Sequence, residues 1–207
     1  MIRLRKLGTL ATLGFLLLPA PHRAEEPHPS GATGSAWLLA FKGKSMNQLV
    51  WDKRFTDLLK ARLPRTAAKF WANGKQPLWE TAINHLGGPP SDVEVVDDRY
   101  VVSSACVAHF CDAKGVIWID VQTTAIVFGA AEWIQSSGVG ADERHHLWLI
   151  SNVDFESAKL PPSLVAYLEQ WSAHANLGAA LRVAEVTYVS PSGRETKLKP
   201  ADVHVVH

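Results

Sequence analysis

The sequence predicts an α+β fold: a mainly antiparallel β-sheet of about five strands with helices packed on one face. Three observations carry that reading. Apolar residues recur at helical spacing before Gly87-Gly88-Pro89-Pro90, short apolar runs separated by tight turns follow it, and a helical pattern returns after Pro161-Pro162.

The chain opens with Arg3, Arg5 and Lys6, followed by an uncharged, Leu-rich stretch over residues 7–18. That stretch is too short to cross about 30 Å of hydrocarbon as a helix but has the length of a secretory h-region. A signal peptide over residues 1–24 is therefore expected, with a buried N-terminal helix as the alternative. The residues around Ala20 and Ala24 do not fix a cleavage point. A flexible lead, rich in Pro, Gly, Ser and charge, is expected over residues 25–44.

Ser45-Met46-Asn47-Gln48 has the spacing of a capping box, and Trp51, Phe55, Leu58 and Leu59 then share one helical face until Pro64 ends the element. A second helical stretch is predicted over 65–72, stopped at Asn73-Gly74, where glycine can take a left-handed cap. Val93-Glu94-Val95-Val96 and Tyr100-Val101-Val102 read as a hairpin around Asp97-Asp98-Arg99. Residues 115–121 and 125–128 form a second strand pair, and Leu147-Trp148-Leu149-Ile150 a fifth strand. Pro161-Pro162 opens a helix with Leu164, Tyr167, Leu168 and Trp171 about one turn apart. A C-terminal extension over 176–207 reads as one more hairpin, turning at Ser190-Pro191-Ser192-Gly193.

Lys and Arg number 21 against 20 Asp and Glu, so no field favours nucleic acid or an anionic membrane surface. The apolar fraction of 47% is that of an ordinary globular chain, and after signal removal nothing predicts an integral membrane protein. A partner has to be argued from a site.

The site candidate is Ser103-Ser104-Ala105-Cys106-Val107-Ala108-His109-Phe110-Cys111-Asp112, which holds both cysteines of the chain. Three readings are open. Cys106 and Cys111 form a disulfide; or Cys106, His109 and Cys111, with Asp112, bind a metal; or Cys106 is a nucleophile with His109 as its base. Export favours the disulfide, since an oxidising compartment bridges a close cysteine pair. Bridged Cα atoms lie about 4.4–6.8 Å apart, so the four intervening residues must loop outward with His109 on them. His145-His146 and the terminal His204 and His207 read as surface residues, and Trp51, Trp79, Trp118, Trp148 and Trp171 as core. No carboxylate pair stands out as general acid and base, so neither an enzyme nor a cofactor is expected.

The run Tyr100-Val101-Val102-Ser103-Ser104-Ala105-Cys106-Val107-Ala108-His109-Phe110-Cys111 resembles the Ivy family, periplasmic inhibitors of vertebrate lysozyme. In that family a strand with a Tyr near its start runs into Ser-Ala-Cys, and the loop usually reads Cys-Lys-Pro-His-Asp-Cys. Gly87-Gly88, Pro77-Leu78-Trp79, the Trp118 strand and Leu147-Trp148-Leu149 support the likeness, which covers residues 45–175. It implies an Ivy-like domain there, export to the periplasm of a Gram-negative bacterium, and a mainly antiparallel sheet with helices on its convex side. It further implies an inhibitory loop, Cys106, Val107, Ala108, His109, Phe110 and Cys111, that plugs the cleft of c-type lysozyme or a related peptidoglycan-lytic enzyme. A homodimer is compatible with this reading. The loop departs from the family pattern, since Val107, Ala108 and Phe110 replace Lys, Pro and Asp. The alternatives are a periplasmic binding or envelope-maintenance protein on the same scaffold, and an exported metalloprotein or enzyme.

Overall fold

The computed structural model describes residues 34–134, 144–155, 159–175 and 178–207. The signal segment expected over 1–24 lies outside the described residues. Of the lead expected over 25–44, the part from Ser35 onward is ordered: Ala36–Phe41 form a 3₁₀-helix that buries Leu38 and Phe41. The apolar run Trp37-Leu38-Leu39-Ala40-Phe41 supplies the side chains that enter the core.

Among the described residues four α-helices follow, α1 (Met46–Val50), α2 (Lys53–Arg62), α3 (Leu78–His85) and α4 (Pro162–His174). Ser45 caps α1 by accepting the Asn47 amide. The single helix expected from the Ser45 cap to Pro64 is in fact two. Asp52 takes an extended conformation and accepts the Arg54 amide at 2.9 Å, restarting the chain as the N-cap of α2. Trp51, expected in the core, is left at the break and is 77% exposed. The helix expected over 65–72 does not form. Ala68 donates instead to the Gln76 carbonyl and Ala67 bridges Pro77, so the segment closes as a loop carrying Phe70 and Trp71. In α3, Leu78, Thr81, Ala82 and His85 make one buried face.

The sheet has seven strands rather than five, in the order of the chain: β1 (Glu94–Val96), β2 (Tyr100–Val107), β3 (Phe110–Asp120), β4 (Ala125–Ile134), β5 (Arg144–Ser151), β6 (Val183–Val189) and β7 (Glu195–Leu198). Every neighbouring pair is antiparallel except β5 and β6, which run parallel because α4 crosses between them. The C-terminal hairpin β6–β7 is thus part of the same sheet.

Helices cover both faces rather than one. Ile117, Ile119, Phe128, Ala130 and Ile150 pack with residues of α1, α2 and α3, whereas Val116, Trp118, Val127, Leu147 and Leu149 pack with α4 and the C-terminal residues Val203 and Val205. Alternation along each central strand feeds two cores at once, which is why β3 and β4 read as nearly continuous apolar runs.

Candidate functional site

The candidate loop closes the β2–β3 hairpin at one end of the sheet. Val107 pairs with Phe110, so Ala108 and His109 form the turn, and His109 takes a left-handed φ of 63°. A two-residue turn between antiparallel strands needs positive φ to match their twist. The register then shifts. Cys106 pairs with Lys114, leaving Cys111, Asp112 and Ala113 as an extra bulge on β3.

Cys106 and Cys111 are joined by a disulfide across this bulge, with Cα atoms 4.9 Å apart. Neither sulfur is then a thiolate, which removes the metal-ligand set and the nucleophile read from the sequence. Among the described residues no cluster of three His, Cys, Asp or Glu side chains is arranged to hold a metal.

Three further contacts fix the base of the loop. Gly88 donates its amide to the Cys106 carbonyl at 2.8 Å, and a Cβ on Gly88 would lie 2.4 Å from that oxygen and 2.8 Å from the Ala108 nitrogen. Only a glycine allows the backbones to approach so closely. The Lys114 ammonium, on a residue only 4% exposed, donates to the Cys111 carbonyl. His145 donates from Nε2 to the Asp112 carbonyl at 3.1 Å and is 3% exposed, so it is not the surface residue its sequence neighbourhood indicates. Its neighbour His146 is half-buried, stacked on Trp148 at 4.3 Å and bonded to the Thr187 hydroxyl at 2.8 Å. Burial, with Lys197 adding a like charge, holds the His146 imidazole below its usual range.

Outside this base the loop is open. Ala108, His109 and Phe110 are exposed, and Phe110 leaves 47% of its surface to solvent. Its ring lies 6.5 Å from Trp71, which sits edge-on to His85 at 4.6 Å. His85 is fully buried: Nδ1 donates to the Thr81 carbonyl at 2.8 Å and Nε2 meets the Glu132 carboxyl at 2.6 Å. Gly115 lets β3 pass against the His85 backbone, since a Cβ there would fall 2.6 Å from the His85 carbonyl oxygen. The sequence reading missed Trp71, His85, Lys114, Glu132 and His145. The helical spacing of Leu78, Thr81, Ala82 and His85 is the one signal that could have placed His85 on a buried face.

On the opposite face of the sheet, hydroxyls fasten the flank of β2. Ser91 accepts the Ser104 amide at 2.9 Å and shares its hydroxyl with Ser103 at 3.2 Å and Ser104 at 3.1 Å. Burial pushes the Tyr167 hydroxyl of α4 up to about 12, partly opposed by hydrogen bonds to Ser104 and Ser91.

No family model, curated protein or solved structure matches this chain. The likeness to the Ivy family rests on the loop and the flanking residues quoted above. Among the described residues no helix is long and apolar enough to cross a membrane.

Proposed function

We propose that the protein is an exported inhibitor of c-type lysozyme or a related peptidoglycan-lytic enzyme, acting by inserting the Cys106–Cys111 loop into the active-site cleft. The observation that carries this reading is the exposed His109 at the left-handed tip of a disulfide-closed hairpin. A retaining glycosidase sets two carboxyl groups about 5 Å apart, one protonated and one ionised. An imidazole donates from one nitrogen and accepts at the other, so it can bridge such a pair in place of a sugar oxygen. The clamp reduces the ordering cost of docking, because the loop is held before the partner arrives. The disulfide also supports export, since such bonds persist mainly in oxidising compartments.

The test is residual c-type lysozyme activity with native protein and with His109→Ala. Inhibition by native protein at micromolar concentration is expected, weakened at least about tenfold in the variant, the size of an interface hot spot. Unchanged lysozyme activity with native protein would refute the reading for that target. It would favour the same scaffold as a non-inhibitory envelope-binding protein.

A further inference from the structure

Beside His109 stands an exposed aromatic side chain with its own support. Among the described residues Phe110 is one of four exposed large apolar side chains, with Trp51, Val96 and Trp133; it is 47% exposed and its ring lies 6.5 Å from that of Trp71. Trp71 is itself half-buried. It rests on the His85 ring, which both Thr81 and the Glu132 carboxyl hold by its two nitrogens. Phe110 itself is fixed by the paired Val107 and the neighbouring disulfide. The tip Val107-Ala108-His109-Phe110 carries no formal charge with histidine neutral, so it offers a partner little to attract by charge pairing.

We infer that Phe110, backed by Trp71, is a specificity-determining contact that docks against an apolar wall of the target cleft beside its carboxyl pair. Apolar burial, rather than charge steering, then drives the association. This rests on the inhibitor reading of His109. An uncharged tip matches an apolar cleft wall and would desolvate a purely polar one without repayment. A rigid aromatic anchor loses little freedom on binding, which is why aromatic residues dominate interface hot spots. The occupant is accordingly a peptidoglycan-cleaving glycosidase whose sugar subsite next to the carboxyl pair is lined by aromatic or aliphatic side chains.

The experiment measures inhibition of c-type lysozyme by native protein, Phe110→Ser and Phe110→Leu. Each is measured between about 0.05 and 0.5 M NaCl, a range over which exposed charges become screened. Phe110 is a surface side chain, so both variants are expected to keep the native near-ultraviolet circular dichroism of the buried tryptophans. The inference predicts at least about tenfold weaker inhibition for Phe110→Ser. Phe110→Leu should stay within about threefold of native, and salt should change native inhibition by less than about threefold. If native protein inhibits but Phe110→Ser equals it, or inhibition collapses with salt, the apolar contact is overturned and the His109 reading stands. If native protein does not inhibit at all, both fail together for this target.

Discussion

The two ends of the β2–β3 pair are closed by opposite means. At the far end Asp120 is nearly buried and collects its neighbours. Arg99 donates to both carboxylate oxygens at 2.8 and 2.6 Å, the Thr123 hydroxyl donates at 2.7 Å and the Gln122 amide at 3.0 Å. The side-chain bond from Arg99, helped by Thr123 and the Gln122 amide, holds the Asp120 carboxyl down to about 2. Polar groups there are consumed in fastening the chain to itself. At the loop end the fastening is the covalent Cys106–Cys111 bridge together with donors to backbone carbonyls, the Gly88 amide and the side chains of Lys114 and His145. That leaves His109 and Phe110 unspent. One end of the hairpin spends its polar groups on stability, and the other leaves two side chains at its tip exposed.

The largest way to break this contrast is Asp120→Ala, which leaves Arg99, Thr123 and the Gln122 amide without their acceptor. A loss of about 3 kcal/mol is expected in urea unfolding, with partner binding per folded molecule unchanged. The same network predicts an acid limb. The folded carboxyl titrates near 2, below its ordinary 3.8, so its stabilisation is complete above about pH 4 and disappears as pH falls towards 2. At most about 2 kcal/mol should be lost over that window, and Asp120→Ala should not show this component of the loss. Gly88→Ala forces a methyl against the Cys106 carbonyl. Roughly 2 kcal/mol of destabilisation is expected, together with weakened partner binding, because the loop base itself must shift. Replacing both Cys106 and Cys111 by Ser should cost about 2 kcal/mol or slightly less, since the closed ring is short. Its larger effect should fall on binding, read in the lysozyme assay. Thr123→Val is the smallest test, at about 1 kcal/mol for one of several bonds to Asp120 and no change in binding.

The strands were legible because they are short apolar runs between strong turn signals. The tip was legible because two cysteines five positions apart constrain the backbone whatever surrounds them. Ser45 was readable as a cap, and Pro161-Pro162 as a helix start. The rest failed for identifiable reasons. Residues 65–72 have helical composition, but their backbone groups find better partners at Gln76 and Pro77, a pairing no local pattern reveals. Asp52 was one polar residue within an apolar periodicity, yet it restarts the helix and leaves Trp51 outside. His145 read as a surface residue, and Lys114 carried no signal, because the carbonyls they bond belong to the Cys111–Asp112 bulge, which exists only once β3 has slipped its register. The His85–Glu132 pair joins residues 47 apart in sequence, beyond any motif.

The most direct test of the central claim is backbone amide hydrogen exchange of the oxidised protein, alone and with excess c-type lysozyme. New protection is expected at Val107 to Asp112 and at Trp71, with the Asp120 end unchanged. Protection elsewhere on the surface, with the loop exchanging as freely as before, would contradict it.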